Sequence, residues 1–130
     1  MAKVLVCGGR DYDDRGRVTQ ILDAAVDRLG LTAIVQGGAS GADLLAKEWA
    51  KGRKLQCETF YADWTGQGDA AGPIRNKRML DEGKPELVIA FPTPGAANKG
   101  TFGMVALAKQ AGLPVHVIQP RQMAQERNTR

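Results

Sequence analysis

Three glycine-rich stretches hold most of the residues that could do chemistry in this chain: "GGRDYDD" at 8–14, "GGASGAD" at 37–43 and "PTPGAANKGT" at 92–101. Glycine permits positive φ and lets an anion approach the backbone without meeting a Cβ. Where such a stretch opens a helix, the first N–H groups have no intrahelical partner. With the helix dipole they favour a nearby anion by about 0.3–1 kcal/mol at a surface. Gly8, Gly9, Gly37, Gly38, Gly41 and Gly100, with Ala39, Ala42, Pro92 and Thr101 beside them, are therefore candidate contacts to a phosphate-bearing ligand. The plainer alternative is that the glycines only make tight turns.

Polar and aromatic residues around these stretches add a second set of candidates. Arg10 follows Gly8-Gly9 and could pair bidentately with a phosphate or carboxylate. Tyr12 could stack on a base. Asp43 either satisfies a helix dipole or serves a ribose hydroxyl or a catalytic step. In "AGPIRNKRM" (71–79), Gly72, Arg75 and Asn76 stand at a helix start, where a phosphate clamp and a solvated face both fit. Trp64, in a polar stretch, could close over a base or anchor its own loop. The named nucleotide fingerprints fail. G-x-G-x-x-G would need glycine where Ala39 stands, Gln36 replaces the expected acidic residue, and no Gly-Lys-Ser/Thr occurs.

Metal and cofactor chemistry are not expected. Cys7 and Cys57 are too few for a zinc site or a disulfide framework. Both read as small hydrophobes in strands, with a reactive thiol at Cys7 as the minor alternative. His116, between Val115 and Val117, reads as a packed strand residue.

The elements that must position these residues alternate along the chain. Strand patterns fall at 3–7, 31–36, 55–61, 86–92 and 114–119. Helical spacing runs through Val18, Ile21, Leu22, Ala25 and Leu29, then Leu44, Leu45, Ala46, Trp49 and Ala50. A polar stretch at 62–72 leads to a helix opened by Pro73, and 101–112 is helical with Met104, Leu107, Ala108 and Ala111 on one face. Near-continuous apolar strands alternating with helices imply an α/β fold: one Rossmann-like, doubly wound domain over 1–120, its five-stranded, mainly parallel sheet covered on both faces. In such sheets ligands bind beyond the strand C-termini, where the three glycine stretches fall.

Composition sets the outer bounds. The 130 residues suit a single domain, with 43% hydrophobic and 25% charged residues. No apolar run is long enough to span a bilayer and the N-terminal run is too short for a signal sequence, so no membrane association and a cytoplasmic location are expected. The net charge is +4; Arg121, Arg127 and Arg130 against Glu126 place +2 in residues 121–130, which read as a polar, flexible tail. The body carries the remaining +2, weak support for nucleic-acid binding.

Together, "CGGRDYDD", "VQGGASGADLLAKEWA", "ADWTGQGDAAGPIRNKRM" and "FPTPGAANKGTFGMVALAKQAGLPV" resemble the YspA type of the SLOG superfamily over residues 3–118. That superfamily also includes the LONELY GUY phosphoribohydrolases and the DNA-processing protein DprA. The resemblance implies a Rossmann-like fold that binds a nucleotide or nucleotide-derived ligand at the strand C-termini; the three convergent loops and a missing catalytic glutamate favour a sensor or sequestering domain. In the LONELY GUY enzymes a P-G-G-x-G-T-x-x-E motif supplies a phosphate site and a catalytic glutamate. Gly100 and Thr101 match it here, but Met104 stands at the glutamate position and the preceding loop is longer. Methionine transfers no proton, so that mechanism does not carry over. An N-glycosidic-bond-cleaving enzyme using Asp43 and Arg75 is the alternative, and single-stranded nucleic-acid binding ranks below it. Self-association into a homo-oligomer is left open.

Overall fold

The computed structural model describes residues 2–119, so the tail expected at 121–130 lies outside the described residues. Five strands and five helices follow in the order β1 (Ala2–Gly8), α1 (Arg15–Leu29), β2 (Leu31–Gln36), α2 (Ala42–Gly52), β3 (Gln56–Thr59), α3 (Trp64–Gln67), α4 (Ala71–Asp81), β4 (Leu87–Phe91), α5 (Lys99–Gln110) and β5 (Val115–Val117). The strands form one parallel sheet in the order β3-β2-β1-β4-β5. This is the Rossmann-like α/β architecture that the alternation of strand and helix patterns predicts.

Side-chain alternation on the central strand divides the core into two layers. Val4 and Val6 of β1 pack into a cluster with Val18, Leu22, Ala46 and Trp49 from α1 and α2. Leu5 and Cys7 point the other way, onto Met79 of α4 and Met104, Val105 and Ala108 of α5. Both faces of β1 are thus dry, which is why it reads as an unbroken apolar run. Each such buried aliphatic side chain contributes about 1.5–3 kcal/mol. Helix α1 begins at Asp14, whose side chain accepts from the Arg17 N–H, and ends at Gly30 in the left-handed conformation.

The chain crosses from β3 at one edge to β4 beyond β1, so the loops after β1 and β4 diverge to opposite faces. Between their ends lies the point where strand order reverses, the usual ligand crevice of such sheets.

Two local expectations change. The polar stretch before Pro73 is not plain loop. Asp63 accepts from the Gly66 N–H at 2.9 Å and starts α3, a 3-10 turn follows at Gly68–Ala70, and α4 already begins at Ala71. His116 is exposed rather than packed. Val115 and Val117 take the α5 side of β5, leaving His116 on the other face of an edge strand.

Candidate functional site

The three glycine stretches meet at the C-terminal edge of the sheet and lock into one another. The Gly9 carbonyl accepts from the N–H groups of both Tyr12 and Ala42, each at 3.2 Å, and Gly9 N–H donates to Phe91 O at 3.1 Å. Ser40 Oγ donates to the Arg10 carbonyl at 2.9 Å. One backbone therefore ties the first loop to the start of α2 and to the end of β4.

Close packing of these loops accounts for most of the glycines. A Cβ on Gly8 would overlap Ala42 and the Phe91 carbonyl, and one on Gly9 would overlap Thr93 Oγ1. On Gly41, at φ +73°, it would overlap the Gly9 carbonyl; on Gly38, at φ +74°, it would lie 2.5 Å from the Tyr61 ring. A Cβ on Gly72 would touch the Trp64 ring at 3.2 Å. Gly100 differs, because its Cβ would have nothing within 4 Å.

Three successive amides of the second loop, those of Gly37, Gly38 and Ala39, are engaged within the protein. Asp43 Oδ2 accepts from Gly37 N–H and from Ala39 N–H, both at 3.2 Å, and Gln36 Oε1 accepts from Gly38 N–H at 2.6 Å. Ala42 N–H, at the start of α2, is taken by the Gly9 carbonyl, and Gly41 before it supplies no side-chain cap. At Gly37, Gly38 and Ala39 the chain's own Asp43 and Gln36 thus take the N–H groups that the sequence offers to a phosphate. Asp43 is 6% exposed, and burial pushes its carboxyl up to about 6, against the opposing pull of the Ala39 and Gly37 amides and of Arg75 and Arg10.

Arg75 sits beside Asp43 on α4. Its Nη1 donates to the Gly37 carbonyl at 2.6 Å, and its Nε donates to Asn76 Oδ1 at 3.0 Å. Asn76, 7% exposed, donates in turn from Nδ2 to the Gly100 carbonyl at 3.4 Å. Burial lowers the Arg75 pKa, a shift that Asp43 opposes. Arg10 is exposed, and its guanidinium stands 5.4 Å from the Trp64 ring centroid, while Trp64 is itself 49% exposed. Arg10 and Trp64 together form an open cationic–aromatic wall.

The first turn of α5 presents a different surface. Asn98, the residue before it, is left-handed at φ +54° and uses its side chain inside its own loop. Its Oδ1 accepts from Thr93 N–H at 2.8 Å, and its Nδ2 donates to the carbonyls of Thr93 and Ala96, both at 2.9 Å. It makes no side-chain cap on the α5 amides. Pro92 and Thr101 are buried beneath this turn, and the Thr93 hydroxyl is buried without a hydrogen-bond partner.

Several candidates fall elsewhere than chemistry alone suggests. Tyr12 is 6% exposed and packs its ring 5.5 Å from that of Phe91, so it belongs to the core and offers no open face to a base. Cys7 is buried, and burial raises its thiol pKa, which suits a hydrophobe and not a nucleophile. Met104, on α5, is fully buried against the sheet. Gln36, Ser40, Tyr61, Thr93 and Asn98 were not candidates, yet each shapes the loops. Gln36 carried a sequence signal: a fully polar side chain closing an apolar strand, here buried and donating to Thr59 Oγ1 at 2.6 Å. Among the described residues no group of three His, Cys, Asp or Glu could hold a metal ion, and no helix is long and apolar enough to cross a membrane.

Comparison with known proteins bears on this geometry. The family model of the YspA, cpYpsA-related SLOG family matches residues 2–66. The chain is 37% identical over 125 residues to the Gene 61 protein of Mycobacterium phage D29, across 88% of this chain and 94% of that one. Its fold is similar to that of DNA processing protein A (DprA) from Streptococcus pneumoniae, with a TM-score of 0.74. That match covers 94% of this chain and 52% of the DprA chain, at 19% identity, and at that level the likeness is one of fold.

Proposed function

Because the chain belongs to the YspA, cpYpsA-related SLOG family, we propose that it binds a nucleotide or nucleotide-derived small molecule at the C-terminal edge of the sheet, as a sensor or sequestering domain. One observation carries this reading. Among the candidate glycines Gly100 has open space at its Cβ position, in the first turn of a helix whose N-terminal amides lack a side-chain cap. A phosphate would take those amides, and the helix dipole would favour its charge. Arg10 and Trp64 supply a guanidinium for a second anionic group and an exposed ring for a base.

Binding without turnover is the simpler reading, since Met104 stands where the related enzymes hold their glutamate. Calorimetry of ligand-stripped protein with AMP, ADP, ADP-ribose, NAD and cyclic nucleotides tests the proposal. Saturable binding of at least one is expected, and no heat from any of them would overturn it. A hydrolytic reading draws only on Asp43, whose raised pKa suits proton transfer but whose Oδ2 is already held by two amides. Base release from AMP that disappears in Asp43→Asn would favour it.

A further inference from the structure

Three hydrogen bonds connect the second glycine loop to the first turn of α5 through two adjacent residues of α4. Gly37 O accepts from Arg75 Nη1, Asn76 Oδ1 accepts from Arg75 Nε, and Gly100 O accepts from Asn76 Nδ2. Residues 37, 75–76 and 100 are far apart in sequence, and these bonds bring the three elements together. From this chain we infer that Arg75 and Asn76 are positioning residues: together they form a strut that sets the orientation of the peptide between Gly100 and Thr101.

The argument is geometric. A peptide is planar and trans, so its C=O and N–H point in opposite directions. Within α5 the Gly100 carbonyl points along the helix and the Thr101 N–H back towards its start, and the brace from Asn76 on Gly100 O holds that peptide in place. Asn76 can do this only if its amide is kept from rotating, and the Arg75 Nε on its Oδ1 fixes which end donates. Arg75 in turn is anchored because Gly37 has no side chain: a Cβ there would overlap Nη1 and lie 2.9 Å from Cζ. Gly37 is thus glycine so that a guanidinium can lie across it. Two of the Arg75 nitrogens are spent on protein, which makes it a support for the site more than a direct grip on the ligand.

This inference rests on the proposed site for its functional consequence, and its structural half can be tested without any ligand. In ligand-free protein, amide NMR of Asn76→Asp is expected to shift the Thr101 resonance and speed its hydrogen exchange, because the aspartate keeps the acceptor for Arg75 but loses the donor to Gly100. Arg75→Lys is expected to move the same Thr101 amide, through Asn76. Unchanged Thr101 amides in both folded variants would overturn the strut whether or not any nucleotide binds. Should Asn76→Asp fail to fold, Arg75→Lys and Asn76→Ser make the same test. With AMP as the probe, Arg75→Lys and Asn76→Asp are each expected to weaken affinity by about 2- to 10-fold, and the double variant by little more than the worse single. Multiplying effects would mean that Arg75 contacts the phosphate independently, and would overturn the positioning role. Absence of AMP binding in the wild type would count against the proposed site and leave the NMR result to decide the strut.

Discussion

Asp43 and Arg75 hold the two polar groups of a single residue, Gly37. The carboxylate takes its N–H at 3.2 Å and the guanidinium donates to its carbonyl at 2.6 Å. An acid and a base thus meet across bare backbone at the C-terminal end of β2, where burial disfavours the charged form of both. The arrangement ties both polar groups of Gly37 to a buried and a half-buried side chain, and it has a pH signature.

Asp43 has a folded-state pKa of about 6 against an ordinary 3.8, so the folded protein holds its proton more tightly than the unfolded chain. The stability from this group is fully present below the ordinary value and is lost as pH rises through about 6. Its size is on the order of 1–3 kcal/mol. In Asp43→Asn an amide oxygen can still accept from Gly37 and Ala39, but nothing titrates. Urea denaturation across the window should show wild type losing stability relative to Asp43→Asn as pH rises. A constant difference would show that Asp43 titrates like an ordinary surface carboxylate.

Gly41→Ala and Gly38→Ala separate backbone strain from collision. Both residues have positive φ, which by itself costs an added Cβ about 1 kcal/mol or somewhat more. At Gly38 the obstacle is the ring of Tyr61, 63% exposed and able to swing away. At Gly41 it is the backbone of Gly9 and Arg10, tied to the Phe91 carbonyl and to Ser40 Oγ. Gly41→Ala should therefore lose about 3 kcal/mol or more, and Gly38→Ala about 1–2 kcal/mol. Equal losses in chemical denaturation would contradict the interlocked loops.

Gly100→Ala should divide stability from binding. The new methyl meets no protein atom and replaces a helical glycine, so stability should stay level or rise by up to about 1 kcal/mol. If a phosphate approaches the α5 amides there, the same methyl should weaken AMP binding by about tenfold, the equivalent of one good hydrogen bond. Paired thermal melts and calorimetry check this. Unchanged affinity would move the ligand away from α5.

Arg10→Ala tests the other wall. Its guanidinium over Trp64 is an exposed contact worth about 0.5–1 kcal/mol, so melting should move little. Losing a charge-assisted bond to the ligand should lower AMP affinity by about 1.5–3 kcal/mol. Trp64 fluorescence should change while the buried Trp49, which donates to Asp23 at 3.0 Å, stays constant. A melting loss as large as the affinity loss would assign Arg10 to the fold.

The doubly wound sheet was legible in the chain because it follows from local rules. Runs such as Val4–Cys7 and Leu87–Phe91 are apolar on both faces, which only a covered parallel strand requires, and crossover chirality leaves few ways to connect them. The same rules put Gly8, Gly37 and Gly100 at one edge. Which of those glycines has open space beside it was not legible. That Gly9 O fills the space at Gly41, that Arg75 lies across Gly37 and that Tyr12 turns inward onto Phe91 are contacts between segments some 30 to 80 residues apart, whereas the hold of Asp43 on the Gly37 and Ala39 amides is local to one loop. A glycine in the sequence states only that a side chain is absent. Whether the vacated space holds backbone, a guanidinium or open solvent depends on how closely the loops approach after the sheet has formed, and only the tertiary structure decides that.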